Sequence, residues 1–106
     1  MTYSVFPYKV VIMIKSYGNK ETEEFAAGEK VKQFEAFRPQ AERRLEILDA
    51  ATSIQDLAAL PSNRFKALKG NREAEYSIRI NRQWRICFQW LRGVDGPEGV
   101  KIEDYH

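Results

Sequence analysis

Three consecutive residues at the end of the chain, Asp104, Tyr105 and His106, carry a carboxylate, a phenol and an imidazole, all groups that move protons. Upstream, residues 64–92 hold eight Lys/Arg (Arg64, Lys66, Lys69, Arg72, Arg79, Arg82, Arg85 and Arg92) against Glu73 and Glu75, a local charge of +6 in a chain of net +2. The remainder therefore carries −4, and such concentrated positive charge is expected of a surface that meets phosphate. A phosphate-holding surface beside an acid/base cluster suits chemistry on nucleic acid. In metal-free RNA cleavage a base takes the proton of the ribose 2′-hydroxyl, that oxygen attacks the adjacent phosphorus, and an acid protonates the leaving 5′-oxygen. His106 is the candidate for one of these roles, with Tyr105 or Asp104 assisting. Its imidazole adjoins Asp104 and a terminal carboxylate, both of which favour the protonated form. A frayed, inert terminal histidine is the plain alternative.

The cations fall on a strand pattern that sorts them. If Ile78, Ile80, Trp84, Ile86, Phe88 and Trp90 face a helical layer, then Ser77, Arg79, Arg85, Cys87 and Gln89 face away from it. Arg79 and Arg85 then share an open sheet face, where planar guanidiniums could neutralise the extra charge of a pentacoordinate phosphoryl transition state. Solvated strand arginines fit the same pattern. Lys69, before Gly70 at a turn, could reach the same anion or could be an ordinary loop lysine. The candidate phosphate-binding set is Lys66, Lys69, Arg72, Arg79 and Arg82, with Arg85 grouped with the terminal triplet.

Other chemistries find no residues. There is no Gly-rich phosphate loop, the single histidine leaves no interior serine triad, and one cysteine, Cys87, gives neither a disulfide nor a thiol ligand set. No metal and no cofactor is expected. The apolar run at residues 10–14 is far too short for a membrane span and has no cleavage pattern after it, so a cytoplasmic setting without membrane contact is expected.

The elements that must position these groups follow from periodicity. Residues 10–17, VVIMIKSY, read as a buried strand. Asn19 can cap a helix with Glu21, Glu23 and Glu24 in its first turn, and Gly28 can stop it. Phe34, Phe37, Ala41, Leu45 and Leu48 recur at helical steps, and Pro39, tolerable only in a first turn, places the regular helix at about residues 39–51. Ser53 and Asp56 read as the cap of a short helix ending before Pro61. From Arg64 the period becomes two, with Asn81, Arg82 and Gln83 as a hairpin turn, a loop at residues 93–99 and a last strand at 100–105. The order gives an α+β, two-layer domain: a twisted, mainly antiparallel sheet on two helices. Residues 13–106 form the expected single domain, and residues 1–12 an extension or misassigned start, since MIKSY offers an alternative beginning.

The run NRFKALKGNREAEYSIRINRQWRICFQW, closed by EDYH and preceded by MIKSY and ERRLEILDAATS, resembles the HigB family of plasmid-maintenance killer proteins, toxins of type II toxin–antitoxin systems in the RelE/ParE superfamily. The resemblance implies a RelE-like fold and a ribosome-dependent endoribonuclease that cuts translated mRNA and arrests growth. It also implies a HigA-like helix-turn-helix antitoxin as partner, through which operator DNA is bound indirectly, with the ribosome and mRNA as the other partners. Carried over by position, Asp104, Tyr105 and His106 match the family's catalytic end, Arg85 its strand arginine and Lys69 its LKG lysine, with Arg79 a weaker match. Lys66 stands where some members have a histidine, so it would supply charge and leave His106 more of the proton transfer. The superfamily also holds gyrase-directed, ParE-like poisons, and a non-catalytic module that binds RNA or antitoxin is a third reading.

Overall fold

The computed structural model describes residues 13–68 and 74–105. The expected extension at residues 1–12, the loop residues Lys69 and Arg72, and His106 lie outside the described residues. The helical layer forms as its caps dictate. Helix α1 (Lys20–Ala26) is capped by Asn19, whose side chain accepts from the Thr22 N–H at 2.9 Å, and the chain turns away just past its C-cap Ala27 at Gly28, whose φ of +96° suits a residue without Cβ. A 3-10 segment (Lys32–Phe37) leads into α2 (Arg38–Ala50), with Pro39 inside the first turn where its missing N–H costs nothing. The apolar stripe spans both, and Phe34, Phe37, Ala41, Leu45 and Leu48 are all buried. Ser53 caps the short α3 (Ile54–Ala58) through the Asp56 N–H.

The sheet is antiparallel with strand order β1 (Lys66–Ala67), β2 (Glu75–Arg79), β3 (Trp84–Gln89), β4 (Glu98–Asp104). Ile78, Ile86 and Ile102 are paired in one row across it and stand on the core side, each nearly or fully buried. Phe34 and Phe37 pack on Trp84 with ring centroids 5.6 and 5.2 Å apart, joining the 3-10 segment to β3. The result is the expected α+β arrangement of helices on one sheet.

Two expectations are corrected. The strand expected over residues 10–17 is, in its described part, a single parallel bridge between Tyr17 and Val100. Its backbone bonds go to several elements instead: Met13 N to the Asp49 carbonyl, Lys15 N to the Pro97 carbonyl, and Ser16 and Gly18 to Val100. The edge of β4 is closed by this segment and by Thr22, whose hydroxyl accepts from the Ile102 N–H at 2.9 Å. The second correction concerns the strand expected from Arg64, which shrinks to two residues. Arg64 itself is left-handed, at φ 47° and ψ 49°, and cannot lie in a pleated ladder.

The junction before α2 has a pH signature. Arg38 donates Nε and Nη2 to Glu35 and Nη1 to Glu42, and Glu35 also accepts from the Val31 N–H. The Arg38 hydrogen bond is the main reason that the Glu35 carboxyl is lowered from 4.5 to about 2. A carboxyl depressed by folding contributes stability that is complete above its unfolded value and is lost as pH falls through the folded one. The melting temperature should therefore fall between about pH 4.5 and about pH 2, and Glu35→Gln should flatten that fall. A variant that tracks the parent through the window in thermal melts would remove Glu35 from the account.

Candidate functional site

The strand register sorts the side chains on the face away from the helices into three rows. Lys66, Ser77, Cys87 and Lys101 form one row, Arg79, Arg85 and Glu103 the next, and Glu75, Gln89 and Glu98 the third. Arg79 and Arg85 are thus direct cross-strand partners, as alternation predicts. The face is not open at its centre, however: Ser77 is 0% exposed, Cys87 3% and Arg85 8%. Alternation tells which way a side chain leaves the strand and carries no information about what covers it. The cover here includes the Arg64 turn and Tyr105.

Arg85 is the centre of the cluster. Its Nε donates to Ser77 Oγ at 2.7 Å, and its Nη2 donates to the carbonyl of Arg64 and, at 3.4 Å, to that of Ser77. Burial lowers the Arg85 pKa and the Arg79 charge adds to this, while the Cys87 and Tyr105 side chains oppose it. A guanidinium starts so far above neutrality that it stays charged. Arg79 is half-buried and donates Nε to the Asn81 carbonyl at 3.0 Å. Like charges placed opposite one another across a strand pair gain from a shared anion.

Tyr105 joins this cluster from the chain's end. Its N–H donates to the Gln83 carbonyl at 2.7 Å, extending the β3–β4 ladder beyond Asp104. Its ring centroid lies 5.9 Å from Arg85 Cζ and 5.7 Å from Lys66 Nζ, within range of a cation–π contact to both. Asp104 is paired with Trp84 in the register and accepts from Gln83 Nε2 at 2.9 Å, which puts it at the hairpin end of the sheet. Arg82 is exposed in that hairpin turn. The structure thus brings Lys66, Arg79, Arg85 and Tyr105 together, with Asp104 and Arg82 to one side, while Lys69, Arg72 and His106 lie outside the described residues.

Sequence reasoning missed Ser77 as a partner of Arg85, and missed Lys101 and Glu103 on the same face. Lys101 and Glu103 were available from the pairing of β3 with β4. Glu103, opposite Arg85, is held by Lys101 Nζ at 3.0 Å and accepts from Cys87 Sγ at 3.6 Å. No sequence signal marks Arg64 as left-handed. A recess of about 910 Å³, lined by residues 52–55, 89–94, Ala74 and Tyr76, includes none of Arg85, Lys66 or Tyr105. Recess size is a poor guide here, because a shallow charged face suits a polymer's backbone and an enclosed pocket suits a small molecule.

Residues 15–106 match the family model described as RelE-like toxin of type II toxin–antitoxin system HigB. The chain belongs to this family. Among relatives of the HigB family, it is 54% identical over 52 residues to Toxin HigB-1 of Vibrio cholerae serotype O1, a stretch covering 49% of this chain and 55% of the relative. It is 38% identical over 63 residues to Endoribonuclease HigB of Proteus vulgaris, covering 59% and 65%. The chain thus spans between about half and two thirds of the length of these curated relatives. The α+β architecture, with its four antiparallel strands, is consistent with the RelE-like fold of the HigB family.

Proposed function

We propose that this HigB-family chain is the toxin of a type II toxin–antitoxin pair and acts as an endoribonuclease on mRNA being translated. The observation that carries the reading is the Tyr105 ring standing near both Arg85 and Lys66. It links the proton-moving end of the chain to cations of the sheet. On this reading Arg85 meets a non-bridging oxygen of the scissile phosphate, and Lys66, Lys69, Arg72, Arg79 and Arg82 hold the flanking backbone. A base takes the 2′-hydroxyl proton as the O2′–P bond forms, the P–O5′ bond breaks, and an acid protonates the 5′-oxygen. The products are a 2′,3′-cyclic phosphate and a 5′-hydroxyl. His106 is assigned to proton transfer, with Tyr105 and Asp104 supporting it.

The same design supports ribosome dependence, since a short cationic face holds RNA without selecting a reactive conformation and ribosomal RNA would supply that alignment. The partner is a HigA-like helix-turn-helix antitoxin that carries the pair to operator DNA, and the compartment is the cytoplasm. No helix among the described residues is long and apolar enough to cross a membrane. The test is to incubate programmed ribosomes with the protein, then map the ends of the mRNA. Cutting within the A-site codon that leaves a cyclic phosphate is expected. Intact mRNA, together with gyrase inhibited in the absence of ribosomes, would replace this reading with a ParE-like one.

Tyr105 yields a graded prediction in the same assay. Tyr105→Phe keeps the ring beside both cations and should stay within about threefold of the parent, while Tyr105→Ala should lose about tenfold. Equal losses in the two variants would move the role from the ring to the hydroxyl.

A further inference from the structure

Resting on the reading that Arg85 meets the scissile phosphate, we propose that Ser77 and the main-chain carbonyl of Arg64 are positioning groups that fix the Arg85 guanidinium for that contact. Ser77 is fully buried in the middle of β2, a place where an apolar or β-branched residue would pack at less cost. Its hydroxyl instead accepts from Arg85 Nε at 2.7 Å, and its carbonyl accepts from Nη2 at 3.4 Å.

The second support comes from an unfavourable backbone. Arg64 adopts the left-handed region at φ 47°, which a residue with a Cβ avoids, and in doing so offers its carbonyl to Arg85 Nη2. The preceding residue anchors it: Asn63 is 0% exposed, donates Nδ2 to the Leu57 carbonyl at 3.0 Å and accepts from Arg44 Nη1 at 2.9 Å. A continuous path of bonds therefore runs from α2 through Asn63 and Arg64 to Arg85 on the opposite side of the sheet.

The geometry has a definite consequence. Among the described residues these bonds engage Nε and Nη2, and none engages Nη1. Held through Nε and Nη2, the guanidinium on this reading keeps Nη1 for the phosphate. Transition-state stabilisation depends on donors aimed before the charge develops, which a freely turning arginine cannot supply. A purely structural role would be met more cheaply by an apolar pair of similar volume, since a buried cation with neutral acceptors keeps most of its desolvation cost.

The test uses Ser77→Ala, alone and together with Arg85→Lys, in the programmed-ribosome assay and in nitrogen-15 spectra of the intact protein. Ser77→Ala should lower kcat about tenfold with KM within about twofold. It should also speed solvent exchange of the Arg85 Nε–Hε proton about tenfold or more, because the acceptor holding that proton is gone. In the Arg85→Lys background the same substitution should cost less than about twofold, since no Nε remains to be aimed. Parental exchange and parental kcat in Ser77→Ala would overturn the proposal, as would an equal loss in both backgrounds. If Arg85→Lys alone cuts like the parent, the phosphate contact itself is wrong; if it is impaired while Ser77→Ala is not, only the positioning fails.

Discussion

Arg85→Met should lower mRNA cleavage on programmed ribosomes by about 10²–10³-fold, the range seen when one preorganised transition-state donor is removed, while the melting temperature holds or rises. Both halves come from one arrangement. Arg85 is 8% exposed, and its bonds to described residues go to a hydroxyl and two carbonyls, none of which returns a negative charge. Taking a cation out of water without a carboxylate partner costs stability, and an apolar residue of similar length removes that cost. What the cation would supply is a fixed charge for a phosphate that is absent when the protein folds. Activity and stability are therefore expected to move in opposite directions. Arg85→Lys should be nearly as inactive, because a compact ammonium cannot reproduce the planar fork that bonds Ser77 and the Arg64 carbonyl along one edge while aiming a further N–H at an anion. Cleavage rates and thermal melts of the two variants decide the matter, and a Met variant that is less stable and fully active would show that Arg85 serves the fold alone.

The same residue shows where a sequence stops being informative. Its strand, its direction and its cross-strand neighbour Arg79 were legible from period-two alternation and a short hairpin turn, because both depend on contacts a few residues apart. For the same reason Asn19, Gly28, Pro39, Ser53 and Asp56 mark helix ends that the structure reproduces to within a residue or so. The burial of Arg85 depends on Arg64 and Tyr105, about twenty residues away in either direction, and on a left-handed turn for which arginine gives no cue. The segment before α1 fails differently. Its run is apolar as a buried strand should be, yet the partners of its described residues are spread over Asp49, Pro97 and Val100, so Ile14 is buried without a regular ladder. Gly96 shows how close that packing is: a Cβ there would come within 1.9 Å of the Met13 carbonyl oxygen. Apolar pattern reports burial, and backbone pairing is a separate question settled by which acceptors lie within reach.

His106→Ala should lower the cleavage rate by about 10²–10⁴-fold, the usual worth of a positioned general acid or base, and the loss should be reversible by changing the leaving group. Tyr105, to which His106 is peptide-bonded, stands beside Lys66 and Arg85, two permanent cations suited to holding phosphate oxygens and poorly suited to giving up a proton at neutral pH. Among the groups of the proposed site, imidazole alone has an ordinary pKa that lets it exist as an acid near neutrality, at about 6.5. The role that fits is donor of a proton to the departing 5′-oxygen. A substrate carrying sulfur at that bridging position leaves as a thiolate and needs no proton, so it should bring His106→Ala to within about tenfold of the parent while leaving Arg85→Met impaired. Rescue of neither variant would move His106 to the other side of the reaction, as the base that takes the 2′-hydroxyl proton.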